Sequence, residues 1–243
     1  MNINDYIIYC TYHDKRLIDE YNLAESENYK LYYTKENDDT SINHLQEFFC
    51  EFTAMFYVYS HKIHNKYKFI GFEHYKRKYV SFFINDYKGG IFGRFPYSGS
   101  LNYFLKTRFC AFLFDDIIDF VKANYSKDSR IYKIFVTKSD IDYTWLSNCI
   151  YMCPCKMFDE IVGFLYNFTM YVDNKYNLNS NYDNYKKFIE EKWFPLKHLG
   201  TIDFENESWL FEKPMNKYRI FAYLYEQILG CYFGYIKKFE YNK

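Results

Sequence analysis

Lys68-Phe69-Ile70-Gly71-Phe72 runs directly into Glu73-His74-Tyr75-Lys76-Arg77-Lys78-Tyr79, and the fold is read outward from that junction. The first half is a compact apolar run of strand length, and the second is a burst of charge. A central strand leaving a buried sheet has this character. Upstream, Leu45, Phe48, Phe49, Phe52, Met55, Phe56, Tyr59 and Ile63 recur at the i, i+3, i+4, i+7 spacing of one helix face. That spacing predicts one continuous helix beginning at Leu45. Earlier still, Tyr6-Ile7-Ile8-Tyr9-Cys10-Thr11 reads as a buried strand stopped by the polar cluster Tyr12-His13-Asp14-Lys15-Arg16. Residues 29–34 read as a second strand and 35–43 as a loop rich in turn-forming residues. Strand, loop, helix, strand is an α/β signature.

Beyond the junction, residues 88–99 hold four of the nine glycines (89, 90, 93 and 99) and are expected to form an irregular loop. Residues 114–125 predict a helix, 131–137 a strand, 149–153 another strand and 157–172 a helix. The polar stretch 173–184 reads as a loop and 193–214 as irregular. Residues 216–236 read as a closing helix with Phe221, Leu224, Ile228 and Cys231 on its buried side. No fixed-period repeat and no Gly/Ser/Pro tract interrupts the chain, so one domain over residues 1–243 is expected.

Composition excludes several classes. The 243 residues are 49% apolar and 26% charged, which fits a globular chain and not a disordered or fibrous one. Thirty-one Lys and Arg balance thirty-one Asp and Glu, so no long-range basic field points to nucleic acid as a partner. No stretch reaches the roughly 18 apolar residues of a membrane span. Residues 1–16 show neither a basic n-region nor a small-residue cleavage site, so a cytoplasmic location is expected, with at most peripheral contact at the inner face of the membrane. Seven scattered cysteines predict reduced thiols, and the spacing of Cys149, Cys153 and Cys155 matches no familiar zinc site. Aromatic residues make up 24% of the chain, and sugar rings stack well on such surfaces.

The candidate chemistry gathers at the strand exit, because open α/β sheets bind ligands beyond the carboxyl ends of their strands. Glu73 and His74 offer two ligands for a divalent metal, while Lys76 and Arg77 suit a diphosphate, Arg by two parallel hydrogen bonds. The plain alternative is a strand that exits into solvent. Asp140-Ile141-Asp142 is a second choice for metal, since carboxylates two residues apart on extended chain point the same way. On the long helix Glu51 lies at one edge of the apolar face and Thr53 at the other. Glu51 is therefore expected beside Arg77 or His74, and Thr53 in packing. Arg219, Tyr223 and Glu226 share a stripe of the last helix, which either faces a cleft or carries an ordinary ion pair in solvent.

Cys50-Glu51-Phe52-Thr53, read with Gly71 and His74-Tyr75-Lys76-Arg77, resembles a family of bacterial capsule and exopolysaccharide glycosyltransferases long catalogued as a domain of unknown function. That family shows a Cys-Glu-Leu-Thr helix followed by an Ile-Gly, His-Tyr-Arg-Arg strand exit. Here Phe52 replaces Leu and Lys76 replaces Arg. Asn148-Cys149-Ile150-Tyr151-Met152 with Phe158-Asp159 is similar to a third element, and residues 219–229 to a closing Arg-containing helix in which Gln227 replaces an Arg. Thr11 and His13 resemble a Thr-His after the first strand, with one residue intervening.

The resemblance implies a GT-A-like, Rossmann-like fold: a mainly parallel sheet flanked by helices, with a nucleotide-diphosphosugar bound at its carboxyl edge. It implies a UDP-sugar donor, with galactofuranose as the guess, and a glycan or lipid-linked glycan acceptor in surface polysaccharide synthesis. Thr11, His13, Glu51, His74, Lys76, Arg77, Asn148 and Arg219 are then the expected donor-binding residues. Asp142, Asp159 and Glu226 are the candidate general bases that an inverting reaction requires. Such enzymes usually hold Mn or Mg on an Asp-x-Asp, but Glu73-His74-Tyr75 stands in its place here, so metal dependence and metal independence are both open. The rival expectations are a non-catalytic glycan- or protein-binding module and a capsule-modifying transferase of a non-sugar group.

Overall fold

The computed structural model describes residues 5–35, 42–93, 97–100, 111–137, 142–145, 149–193 and 218–239, the backbone alone at 97–100, 111 and 142–145. In chain order the elements are β1 (Tyr6–Tyr12), α1 (Arg16–Glu20), β2 (Tyr29–Tyr33), α2 (Gln46–Phe49), α3 (Phe52–Ser60), β3 (Phe69–His74), α4 (Tyr79–Phe82), β4 (Phe92–Gly93) and β5 (Tyr97–Ser100). They continue with α5 (Ala111–Asn124), α6 (Arg130–Tyr132), β6 (Asp142–Trp145), β7 (Tyr151–Pro154), α7 (Cys155–Lys175), α8 (Tyr182–Lys192) and α9 (Ile220–Phe239). Contacts cluster into two compact units, one of residues 1–46, 50–96 and 146–164, the other of 47–49, 97–145 and 165–243. The absence of a linker signal has a plain cause: each unit is assembled from discontinuous segments of chain, so no single stretch joins them.

The first unit is α/β, with a mixed five-stranded sheet in the order β2-β1-β3-β7-β4. β1 pairs in parallel with β2 and with β3, whereas β7 is antiparallel to both β3 and β4. A mainly parallel sheet was the expectation; the parallel part is β2-β1-β3. Strand alternation sends successive residues to opposite faces. Tyr9 stacks on Phe72 at 5.8 Å, and Phe72 also meets Tyr151 and Phe158, each at 5.6 Å, which makes the core on one face. On the other face Ile8, Val80, Tyr87, Ile150 and Met152 form a buried cluster beneath α4. Each such aromatic or branched side chain contributes about 1.5–3 kcal/mol when fully buried.

In the second unit, α5, α8, α9, the later turns of α7 and the antiparallel pair β5–β6 supply the elements. Its core is aromatic: Phe48 stacks on Tyr185 at 5.5 Å and Phe49 on Phe221 at 5.0 Å. Inside it the Asp116 carboxylate accepts from Lys175 Nζ at 2.6 Å and from Tyr176 Oη at 2.8 Å.

Several expected elements are corrected. The helix from Leu45 is broken at Cys50, whose backbone (φ 50°, ψ −125°) ends α2, so that α3 starts afresh at Phe52. The apolar spacing survives the break because only about one turn is remade. Residues 131–137 are not a strand: α6 continues as a π-helical stretch, Lys133–Thr137. Ser129 Oγ caps it by accepting from Tyr132 N, and Ile131, Ile134 and Phe135 are buried at helical spacing. Within residues 88–99, Phe92–Gly93 and the first residues of β5 are strand. α7 runs on to Lys175, and α8 fills residues 182–192, where no element was expected. The segment 194–214 lies outside the described residues.

Candidate functional site

β1 leads away to β2 on one side, and β3 lies on the other side of β1, so the chain reverses its direction of growth between β1 and β3. In open α/β sheets the crevice outside the carboxyl ends of such a pair is where ligands bind. A small, half-open cleft of about 20 Å³ lies there. Thr11, Tyr12 and His13 enter it from the end of β1, and His74 from the end of β3. Thr34, at the end of β2, and Gln46, Cys50 and Glu51, around the break between α2 and α3, complete the wall.

Backbone bonds set this edge. Tyr75 N donates to Thr11 O at 3.3 Å and Thr34 N to Tyr12 O at 2.9 Å, so the three strand ends are tied together. Thr11 is buried, with Oγ1 donating to Glu73 O at 3.4 Å. The break at Cys50 places Glu51 just ahead of α3, with its carboxylate 3.8 Å from His74 Nε2. Lys76 N donates to His74 Nδ1 at 3.3 Å. A ring nitrogen that accepts carries no proton, so the neutral imidazole holds its hydrogen on Nε2, facing Glu51. His13 and His74 both pack against Tyr75, at 5.5 and 4.0 Å between ring centres.

The expected site residues divide accordingly. Thr11, His13, Glu51 and His74, drawn from three distant stretches of sequence, share the cleft. Glu73 does not join them. Its carboxylate turns to the other face of the sheet, where it accepts from Tyr29 Oη (2.8 Å), Ser81 N (2.9 Å) and Ser81 Oγ (2.8 Å). Neighbouring residues of a strand point oppositely, so Glu73 and His74 share no cation. Lys76 and Arg77 are exposed and outside the cleft wall; Lys76 Nζ sits 5.4 Å from the Tyr75 ring, and Arg77 borders a separate depression with Lys78 and Tyr79.

Asp159 lies apart from the cleft wall. It lies one turn into α7, bonded to His64 Nε2 at 2.9 Å and 3.8 Å from Lys62 Nζ. Cys155 N donates to Lys68 O, which fixes this end of α7 at the amino edge of β3, roughly 17 Å of strand from the cleft. Arg219 and Glu226 belong to the second unit, half-buried, Arg219 just before α9 and Glu226 on it. Asp142 opens β6, its backbone opposite Ser100. Asp140 and Asn148 lie outside the described residues. Among the described residues no group of three or more His, Cys, Asp or Glu side chains is gathered as a metal site.

Tyr12, Thr34, Gln46 and Cys50 line the cleft without having been marked as site residues, although Cys50 stands in the motif of the resemblance. Thr34 had a signal, since parallel pairing of residues 29–34 with β1 brings its end beside Tyr12. The break at Cys50 had none, because its left-handed backbone is a property of the packing and not of cysteine. Comparison with known proteins finds no family model that matches the chain, no similar curated protein and no similar solved structure. Among the described residues no helix is long and apolar enough to cross a membrane.

Proposed function

We propose that the chain is a sugar-nucleotide-dependent glycosyltransferase that binds its donor diphosphate in the cleft between the ends of β1 and β3. The observation that carries this reading is the meeting of Thr11, His13, Glu51 and His74 at that one crevice, four of the eight donor-binding residues that the resemblance to the capsule transferases marks. The alternative of a strand exiting into solvent gives no reason for them to meet.

The chemistry follows from the donors present. As the glycosidic bond stretches, negative charge grows on the leaving diphosphate, and preorganised N–H groups stabilise it. His74 Nε2–H and the His13 ring supply such donors. With Nδ1 occupied as an acceptor, His74 suits donation better than metal ligation. Glu51, with its carboxylate 3.8 Å from His74 Nε2, holds that imidazole in place. The cleft is smaller than the 300–1,000 Å³ of a pocket for a whole drug-sized molecule. The donor therefore lies across its open mouth, with the diphosphate against the residues of the cleft wall.

The test is a thermal-shift series with UDP, UDP-sugars and other nucleoside diphosphates, with and without Mn²⁺, followed by transfer assays. A melting-temperature rise with UDP, lost in His74→Ala, is expected; ligand present at a hundred times Kd stabilises by about 2.7 kcal/mol. Glu51→Gln is expected to reduce the shift, because it loosens the imidazole that Glu51 holds. No shift with any nucleotide would end the donor-site reading and leave a glycan- or protein-binding module in its place.

A further inference from the structure

A second and wider depression, of about 330 Å³, is lined by Arg77, Lys78, Tyr79, Phe82, Phe83 and Ile150. Among the described residues Phe82 is the one large hydrophobic side chain left exposed, at 77% of its surface. It does not stand alone. Phe82 meets Phe83 edge-on at 4.8 Å, Phe83 meets Tyr79 at 5.0 Å, and Tyr79 stacks on Phe92 at 5.2 Å. An aromatic shelf therefore runs from the sheet out to solvent, ending in a projecting phenyl ring.

The rim of that shelf is basic. Lys76, Arg77 and Lys78 are consecutive and exposed, held in a tight turn by Arg77 N donating to His74 O at 2.7 Å. Lys78 Nζ reaches back to the carbonyls of Tyr21 and Asn22, each at 3.3 Å, which fixes the turn against the loop after α1. Lys88 is exposed further along the same segment, and Asp86 is the exposed acid between them. An apolar projection beside clustered cations matches the layered chemistry of an anionic bilayer surface: phosphates outside, acyl chains a few ångströms beneath. Long basic side chains can lay their stems along the shelf while their heads stay with the phosphates.

We infer that this face, centred on Phe82 with Arg77 and Lys78 at its rim, docks the protein on an anionic lipid bilayer. The chain's overall neutrality does not oppose it, because attraction to a charged surface is decided by the cations within about a Debye length, near 10 Å, of that surface. One exposed ring and two rim cations make reversible, salt-sensitive adsorption and not insertion.

The experiment is co-sedimentation of the full chain with sucrose-loaded vesicles of phosphatidylcholine, with and without phosphatidylglycerol, in the absence of any nucleotide. Binding to the phosphatidylglycerol vesicles is expected to exceed that to pure phosphatidylcholine and to fall as salt is raised. Phe82→Ser, a surface change that leaves the buried cluster intact, is expected to lower the partition coefficient by about tenfold. Arg77→Glu is expected to lower it by at least about fivefold, with an unchanged melting temperature showing that both variants are folded. Equal partition onto neutral and anionic vesicles, no binding at all, or undiminished binding by Phe82→Ser each overturns the inference. So does a Phe82-dependent dimer in analytical ultracentrifugation without lipid binding, which would assign the face to a second copy of the chain.

Discussion

Glu73 turns its carboxylate under the sheet toward Tyr29 and Ser81, while His74, one residue on, turns its imidazole over the edge toward Glu51. Glu73 thereby pins α4 to β3 and β2, since Ser81 N and Oγ and Tyr29 Oη all donate to it. A buried carboxylate with three donors is a structural clamp, and losing it strands those donors. Glu73→Ala is expected to lower stability by about 2–4 kcal/mol in urea unfolding. Its nucleotide thermal shift should persist, because the side chain faces away from the cleft. A Glu73→Ala chain of full stability that had lost a Mn²⁺-dependent response would restore Glu73 to a metal site. The sequence motif marked both neighbours alike, and the alternation of a strand separates their roles.

At the scale of elements, the approach of α4 to the sheet depends on Gly71. A Cβ there would lie 3.0 Å from Val80 Cγ1 and 3.3 Å from Ile8 Cγ1, both in buried side chains with little room to move. Gly71→Ala is therefore expected to cost about 1–3 kcal/mol, read as a shift of the urea midpoint with an unchanged slope. An Ala variant as stable as the parent would mean that α4 packs more loosely. β1, β2, β3 and α9 were legible because each combines a clear apolar period with a polar or Gly-bearing end. The short elements were not. Ile131, Ile134 and Phe135 satisfy helical spacing, yet residues 131–137 also form a compact apolar run of strand length, and periodicity over so few residues does not choose. α8 is mostly charged on its outer side, so Tyr185, Phe188 and Ile189 were too few to outweigh the polar background. Cys50 shows the other limit: a left-handed residue in mid-helix carries no signature in its identity, and it is this break that brings Glu51 to the cleft.

For the whole molecule, the consequence of an aromatic-rich, cysteine-bearing interior is a dependence on neutral acids. Cys10 lies fully buried in β1, and burial raises its thiol from the ordinary 9 to about 11, with the Tyr29 hydroxyl partly offsetting that rise. Cys155 is raised to about 12 by burial alone. Tyr176 is raised from 10 to about 12, by burial first and by the Asp116 carboxylate second. Burial also lifts Tyr9, Tyr29 and Tyr185 well above the usual phenol value. Each of these groups holds its proton more tightly when folded than when unfolded. Their contribution to stability is therefore complete below the unfolded values, near 9 for cysteine and 10 for tyrosine, and is lost as pH climbs toward the folded values. Unfolding free energy is expected to be level with respect to these groups up to about pH 9 and to decline progressively from there to about pH 11. For Cys10 alone the two-unit difference corresponds to about 3 kcal/mol across that window. Urea titrations at stepped pH on the parent and on Cys10→Ala separate this from other alkaline effects: the Ala variant starts from a lower plateau and falls less steeply between about pH 9 and 11. Parallel slopes in the two chains would show that Cys10 ionises in the folded state as freely as in the unfolded one, and that the β1 interior admits water.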